Sequence, residues 1–248
     1  MRFKVVVAYN GNNYHGWQSQ SKKGTVQETI ENALLKITKI KTPIISSGRT
    51  DAKVHAFGQV FHFDSDIVMA STDNWVLAFN SNLPHDINVR SVTQVTDQFH
   101  ARFSAIKKRY DYLIEMGPYN VLEYPFVYQH NKALDIEKMI ECSQLFVGTH
   151  DFSAFNATPL TQIPNQIRTI SRFDFEVKES KVRIIVEGKG FLHHMVLMLV
   201  QPIIEVGANR LSIDEVKGFL LSKDKRASRY KAQAQGLILQ KVWYPDEN

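Results

Sequence analysis

The sequence predicts an α+β fold that consists of two halves of similar plan, residues 1–103 and 104–248. Several segments alternate apolar and polar residues, which indicates strands because successive side chains of a strand point to opposite faces. Other segments carry apolar residues three or four positions apart, which is the period of a helix. The two kinds of segment follow a similar order in both halves, and no low-complexity linker separates them.

In the first half, Thr25 and Glu28 have the spacing of a capping box at the start of a helix with apolar residues at helical period. The elements predicted for this half are, in chain order, a strand at 2–8, this helix, strands at 43–47 and 59–64, a helix at 71–82 and a strand at 86–95. The order β-α-β-β-α-β is the ferredoxin-like arrangement.

The second half repeats this order loosely. Its predicted elements are, in chain order, a strand at 106–116, a helix at 135–147, a hairpin of 167–178 with 181–187, a helix at 191–206, a helix capped by Ser212 and a strand at 236–244. Pro202 should kink the helix at 191–206, because proline removes one backbone hydrogen bond and clashes with the preceding turn. Two ferredoxin-like halves are therefore expected.

The composition is that of an ordinary globular protein with a formal net charge of +5. This charge is compatible with a polyanionic partner but does not require one. The single cysteine, Cys142, excludes an internal disulfide and favours a reducing compartment. We expect no signal peptide, because the N-terminal segment 1–7 is too short and too polar. We also expect no membrane span, because the longest apolar run, 195–200, is far too short. The cytoplasm is the simplest location.

Several common cofactor and catalytic motifs are absent. The sequence has no G-x-x-x-x-G-K-[ST], no strand-linked G-x-G-x-x-G and no G-x-S-x-G. His193 and His194 are adjacent, which does not suit a zinc site on a helix. We therefore expect neither a metal ion nor a nucleotide or other small-molecule cofactor.

The segment 46–56 is the first candidate site. A strand runs into a turn in which Arg49 and Asp51 stand two residues apart. A nearby guanidinium favours the ionised carboxylate, which is the form that a nucleophile or general base needs. From composition alone, a polar turn in which Asp51 caps a backbone amide is the commoner explanation.

Two further segments carry candidate functional residues. Basic and aromatic residues interleave over 99–110, as in proteins whose cations neutralise phosphates and whose rings stack on bases. A solvated strand edge explains this segment equally well. An apolar helix begins with two histidines at 190–196, and a core helix with satisfied histidines is the commoner explanation there. The basic clusters 22–23 and 223–231 are interpreted as solvated surface.

Together these segments resemble the tRNA pseudouridine synthases of the A type. The motifs that carry the resemblance are, in chain order, Y-x-G-x-x-Y-x-G-W-Q (9–18), T-V-Q (25–27), G-R-T-D-A with V-H-A (48–56), F-H-A-R-F-S-A (99–105), G-T-H-D-F (148–152), G-F-L-H-H-M-V (190–196) and G-L (236–237). They extend over nearly the whole chain. The G-R-T-D-A segment, directly after a strand and followed by V-H-A, is the most specific of them.

The resemblance implies an enzyme that converts uridine to pseudouridine in the anticodon stem-loop of tRNA without a cofactor. It also implies a homodimer and an RNA-binding cleft between the two ferredoxin-like halves. Asp51 would be the nucleophile, Arg49 would hold the flipped nucleotide open, and Tyr110 would line the pocket and stack on the base. Further contacts to the substrate or RNA are expected from Lys53, His55, His100, Arg102, Lys107, Lys108, Arg109, His194 and Leu237.

The chain departs from the family pattern at several places, and one of them is the stretch 199–202, which lacks the usual glycine. Lys53 stands where the family has glycine, and Leu197 stands where it has the arginine that pairs with the catalytic aspartate. The proline usual near 234–236 is also missing. One hypothesis is that Lys53 replaces the lost charge.

Three alternatives to this function remain open. The chain would act on a different RNA, or would bind or fold tRNA with weakened catalysis, or would be a small-molecule enzyme on the same fold. The net positive charge disfavours a small-molecule enzyme.

Overall fold

The computed structural model describes residues 1–18 and 24–245, so that the basic pair Lys22 and Lys23 lies outside the described residues. The chain divides into two compact units: the first unit is Met1–Ile106 with Ile238–Asn248, and the second unit is Lys107–Leu237. Among the described residues, no helix is both long enough and apolar enough to cross a membrane.

The fold is α+β, as the sequence predicted. In the described part of the chain the strands are β1 (Arg2–Tyr9), β2 (Ile45–Ser46), β3 (His55–Asp64), β4 (Ile87–Val95), β5 (Lys107–Glu115), β6 (Tyr128–Gln129), β7 (Gly148–Asp151), β8 (Ile167–Lys178), β9 (Lys181–Gly188) and β10 (Leu237–Trp243). The α-helices there are α1 (Val26–Thr38), α2 (Thr72–Asn82), α3 (Ile136–Gln144), α4 (Met195–Gly207) and α5 (Ile213–Ser222).

The first unit has the ferredoxin-like strand order. Strand β1 pairs antiparallel with both β3 and β4, and β2 pairs antiparallel with β3, which gives the order β4-β1-β3-β2. Strand β10 joins the same sheet, because its residues Ile238 and Leu239 pair in parallel with the first residues of β3. Strand β3 therefore pairs with the two-residue strand β2 and with the first part of β10, and the candidate turn lies directly before β3 in the chain.

An aromatic core fixes β3 from one side. The rings of Phe61 and Phe63 on β3 pack against Trp75 and Phe79 of α2 and Phe3 of β1, with centroid distances of 5.1 to 6.5 Å. All five side chains are buried. Such large apolar side chains each stabilise the fold by about 1.5 to 3 kcal/mol, so that β3 is a rigid base for the residues at its start.

The second unit contains the predicted hairpin, β8 with β9, which extends antiparallel through β5 on one side and β7 on the other. Helix α5 begins with the predicted capping box of Ser212 and Glu215. Helix α4 begins at Met195, later than the predicted start at 191, because His194 adopts a left-handed conformation with φ 62°. Pro202 lies inside α4.

Two features of the division differ from the sequence prediction. The units divide at Ile106, whereas the predicted boundary lies after residue 103, and the chain from Ile238 onward belongs to the first unit instead of the second. The local pattern of 236–244 predicts a strand but carries no information about which strand it will pair with. The short strands β6 and β7 were not predicted, because two to four residues are too few for a periodic signal.

Candidate active site

The turn that carries Asp51 is closed by buried polar groups. Ser47 donates its hydroxyl to Gln59 Oε1 at 2.7 Å, and Gln59 Nε2 donates to the carbonyl of Gly48 at 2.9 Å. The backbone nitrogen of Val54 donates to the carbonyl of Asp51 at 3.1 Å. Ser47 and Gln59 are both buried, so these bonds form away from water and the turn has a defined shape.

The segment with the motif Y-x-G-x-x-Y-x-G-W-Q (9–18) packs against the same turn. The backbone nitrogen of Trp17 donates to the carbonyl of Thr50 at 3.0 Å, and the hydroxyls of Tyr9 and Thr50 are 2.7 Å apart. Gly16 has φ +87°, and a Cβ there would lie 2.9 Å from the carbonyl oxygen of Thr50. The residue directly before Asp51 is therefore held by both its backbone and its side chain, while Asp51 itself is half-buried.

His55 lies inside this arrangement. Its ring is 4% exposed, and its Nδ1 accepts a hydrogen bond from the backbone nitrogen of Gly11 at 3.1 Å. A Cβ on Gly11 would lie 2.1 Å from the carbonyl oxygen of Val54, so the loop touches the turn directly. We therefore propose His55 as a positioning residue that joins this loop to the turn, and not as a contact to RNA.

Lys53 occupies the conformation that explains the glycine of the family pattern. Its φ is +68°, in the left-handed region that a Cβ disfavours by about 1 to 2 kcal/mol. Its side chain is exposed. The turn therefore keeps the backbone shape that glycine would adopt freely. Lysine at this position strains the backbone and adds a positive charge two residues after Asp51.

Substitutions of Lys53 separate the effect of its backbone strain on stability from the effect of its charge on turnover. We expect Lys53→Gly to raise the free energy of unfolding by about 0.5 to 1 kcal/mol, measured by urea denaturation, because glycine tolerates positive φ. If the charge replaces the arginine lost at Leu197, Lys53→Gly and Lys53→Ala should both lower turnover, while the matched Lys53→Arg variant should retain it. Wild-type turnover in Lys53→Ala would refute the charge hypothesis.

A buried histidine, His62, supports the loop that follows β4. Its ring is 2% exposed, and its Nδ1 accepts a hydrogen bond from the backbone nitrogen of Ala101 at 3.2 Å. Burial, followed by the charges of Arg2 and His100, lowers the pKa of His62 to about 4, while Asp64 acts in the opposite direction. The neutral ring is thus the form that holds the loop.

The depressed pKa of His62 predicts acid sensitivity. Between pH 6.5, its ordinary pKa, and about 4, the unfolded chain binds a proton that the folded chain does not. Above pH 6.5, His62 should therefore not lower the free energy of unfolding. As the pH is lowered from 6.5 to about 4, the free energy of unfolding should fall by up to about 3 kcal/mol. Urea denaturation across this range should show a shallower fall in His62→Asn, whose Oδ1 is an acceptor that does not titrate. Equal slopes in the two proteins would contradict the assignment.

Two of the predicted cations on β5 have acidic partners in the second unit. Lys107 Nζ lies 2.9 Å from a carboxylate oxygen of Glu187, and Arg109 donates to both oxygens of Asp111 at 2.7 and 3.0 Å. Asp111 is buried. These charges are matched within the sheet, so we propose Lys107 and Arg109 first as sheet-stabilising residues. Lys108 lies on the other face of β5, as its neighbours alternate along the strand.

Tyr110 and Leu237 are both buried side chains of the second unit. The Tyr110 ring contacts the Phe191 ring edge-on, with centroids 5.3 Å apart. Leu237 follows Gly236, where a Cβ would lie 2.8 Å from the ring of Tyr112. The motifs G-F-L-H-H and G-L are thus each packed against β5, the strand that carries Tyr110.

Lys231, from a basic cluster that was predicted to be solvated surface, contacts the residue that directly precedes α4. Lys231 Nζ lies 3.1 Å from His194 Nε2, and the rings of His193 and His194 are 3.8 Å apart. Leu197, in the first turn of α4, is fully buried, and its carbonyl accepts a hydrogen bond from Ala232 at 3.0 Å. No local signal distinguished Lys231 from its basic neighbours.

Neither unit, taken alone, offers a metal site in the part of the chain that the structure describes. Among those residues of either unit, no three His, Cys, Asp or Glu side chains come together closely enough to hold one ion. Cys142 is buried, and burial raises the pKa of its thiol to about 12, which leaves it unreactive.

The comparisons with known proteins identify the family. A family model described as tRNA pseudouridine synthase matches residues 5–104 and 142–245, and the chain belongs to this family. A "tRNA pseudouridine synthase A" of Bacillus licheniformis is 38% identical over 247 residues, which cover 98% of this chain and 99% of that protein. One of Shouchella clausii is 39% identical over 245 residues, with 98% and 93% covered. The resemblance drawn from the motifs is confirmed.

One solved structure, titled as a Cbf5-Nop10-Gar1 complex, also aligns with the chain. It is 13% identical, has a TM-score of 0.35, and is aligned over 81% of this chain and 54% of that one. At this score the likeness carries no argument about the fold or the site.

Proposed function

We propose that this chain is a tRNA pseudouridine synthase with Asp51 as its nucleophile. The observation that carries the proposal is the end-to-end similarity to proteins named tRNA pseudouridine synthase A. The G-R-T-D-A turn supports it, because Thr50 on one side of Asp51 is buried and hydrogen-bonded while Asp51 remains accessible. By resemblance, the substrates are uridines of the anticodon stem-loop.

The reaction requires little beyond a positioned carboxylate. The bond between N1 of uracil and C1′ of the ribose breaks, a bond between C5 and C1′ forms, one hydrogen leaves C5 and one joins N1. Atoms and electrons balance without an oxidant, a reductant or hydrolysis. An ionised carboxylate at the turn is the kind of group that attacks and later leaves a substrate carbon.

The target base must first leave its stack, which costs a few kcal/mol. We propose that Arg49, whose side chain is exposed next to the buried Thr50, holds the flipped nucleotide open. We propose Tyr110 as the residue that stacks on the base, supported by the edge-on contact of its ring with Phe191. Lys108 and His194 are proposed as further contacts to the RNA.

Incubation of the chain with unmodified tRNA transcripts, followed by nucleoside analysis, tests the function. We expect pseudouridine at uridines of the anticodon stem-loop, and we expect it to disappear when those uridines are replaced by cytidine. Pseudouridine at other sites only would indicate a different RNA target. A complete lack of pseudouridine on every transcript, with retained tRNA binding, would leave only the second candidate below.

The second candidate is an RNA-binding or tRNA-folding protein with weakened catalysis. The observation that favours it is Leu197, which is fully buried where the family has a cation. In the family pattern the arginine at this position pairs with the catalytic aspartate, whereas leucine brings no charge there. Single-turnover rates, measured with enzyme in excess, separate a slow enzyme from a chain that only binds.

We also propose that the chain is a homodimer and works in the cytoplasm, both by resemblance to the family. Sedimentation velocity at several concentrations tests the first proposal, because a single species with the mass of one chain would contradict it. Fractionation of cells that express a tagged chain tests the second.

A further inference from the structure

The segment Phe99–Ser104, called the 99–104 loop here, is held to the first unit through its central residue. Ala101 is fully buried. Its backbone nitrogen donates to His62 Nδ1 at 3.2 Å, and its carbonyl accepts the hydroxyl of Tyr244 at 2.7 Å. Both polar groups of Ala101 are thus satisfied by side chains that are distant in sequence, one from β3 and one from near the end of the chain.

Further hydrogen bonds, one from Arg2 and the others within the loop, close the rest of it. The carbonyl of Phe99 accepts from Arg2 Nη1 at 2.9 Å. The backbone nitrogen of His100 donates to Ser104 Oγ at 3.0 Å, and the nitrogen of Ser104 donates back to the carbonyl of His100 at 2.9 Å. His100 Nδ1 accepts from the backbone nitrogens of the two residues at the tip, at 3.1 and 3.3 Å. The loop therefore holds its shape without help from a partner.

This rigid loop presents an aromatic ring and a cation to solvent. Phe103 is 76% exposed, Arg102 is also exposed, and the guanidinium carbon lies 5.7 Å from the Phe103 ring centroid. One exposed apolar residue needs no explanation in general. A phenylalanine paired with an arginine at this tip is informative, because hydrogen bonds fix the backbone that carries both side chains while the side chains are open to a polyanion with flat bases.

The rings beneath Phe103 form a continuous series from the core to the surface. His62 is buried, its ring centroid is 5.1 Å from that of His100, and the His100 ring is 4.3 Å from that of Phe103 with an angle of 32° between their planes. One face of Phe103 is thus covered by His100. A base stacked on its other face would extend the series by one ring, with Arg102 beside it.

We propose that Phe103 stacks on an unpaired base of the bound RNA and that Arg102 neutralises a phosphate next to that base. Aromatic stacking is sequence-tolerant, and a neighbouring cation adds the salt-dependent attraction typical of nucleic-acid contacts. The charged tip favours RNA over a second protein chain, which would need an apolar surround. The inference rests on the proposed function, because it takes RNA as the substrate.

Tryptophan fluorescence tests the stacking directly. Trp17 and Trp75 are 1% exposed and Trp243 is half-buried, so a Phe103→Trp variant gains one exposed fluorophore, read as the difference from the wild type. We expect an unmodified tRNA transcript to quench that added emission and to protect it from iodide. The matched control is Leu77→Trp in α2, where the replaced side chain is 67% exposed, and its emission should not change.

Affinity measurements show whether the ring itself is needed. We expect Phe103→Leu and Phe103→Ala to weaken tRNA binding about tenfold, while Phe103→Tyr retains it, because loss of one base stack has about that effect. Arg102→Gln should lower the slope of log affinity against log salt by about one. Circular dichroism checks that each variant is folded, and Phe103→Tyr keeps the test valid if the others fold poorly.

Three outcomes would overturn the inference. Equal affinity of the Phe103→Leu and Phe103→Tyr variants would show that only apolar bulk matters. An unchanged emission of the Phe103→Trp variant with bound tRNA would show that no base reaches the ring. Emission that depends on protein concentration without RNA would identify a second copy of the chain as the partner. Failure of the wild-type chain to bind any tRNA would instead refute the proposed function, so the two failures are distinguishable.

Discussion

Replacement of Asp51 by asparagine is expected to lower pseudouridine formation by more than about a thousandfold, because the amide keeps the shape of the carboxylate but is not a nucleophile. The turn should keep its fold, since its closing bonds use the backbone carbonyl of Asp51 and the side chains of Ser47 and Gln59. Binding of tRNA should be unchanged or slightly tighter, because one negative charge is removed near a polyanion. Single-turnover assays and filter binding measure the two effects separately.

Asp66→Asn is the matched control for the Asp51 substitution. Asp66 is an exposed carboxylate in the same unit, so this variant makes the same change of charge and should retain wild-type turnover. If Asp51→Asn were as active as the wild type, Asp51 would not be the nucleophile and the proposed mechanism would be wrong. If it lost binding and turnover together, the residue would serve to hold the RNA.

Local patterns predicted the local structure of the chain well. The hairpin of β8 and β9 and the helix α5 with its capping box follow from residues that are neighbours in sequence. These features depend on short-range sterics and hydrogen bonds, which a single sequence contains. The left-handed conformation of Lys53 was not predicted from the sequence, although it lies where the family pattern has glycine, which adopts positive φ freely.

Partners that are distant in sequence were not predicted. The burial of His55 under Gly11, the ion pair of Lys107 with Glu187 and the contact of Lys231 with His194 each join residues at least 37 positions apart. Residue type alone assigned these cations and imidazoles to RNA or solvent. Only the fold determines whether a charge already has a partner, so the sequence alone could not separate residues that bind RNA from residues that stabilise the fold.

Replacement of Gly11 by alanine is expected to have the largest effect of any small substitution behind the turn. The new Cβ would lie 2.1 Å from the carbonyl oxygen of Val54 and 2.7 Å from its carbonyl carbon, and both are backbone atoms that cannot rotate away. The loop or the turn must move, which would also disturb the bond from Gly11 to His55. We expect the free energy of unfolding to fall by about 2 to 4 kcal/mol.

Turnover should fall as well, by about a hundredfold at temperatures where Gly11→Ala is folded, because displacement of a catalytic group by about 1 Å has that effect. The matched control is Gly218→Ala in α5, where a Cβ would meet nothing within 4 Å. That variant should gain about 0.5 to 1 kcal/mol, since alanine favours a helix interior, and should keep its activity. Urea denaturation and single-turnover assays of both variants test this. Wild-type turnover in folded Gly11→Ala would mean that the loop behind Val54 does not position Asp51.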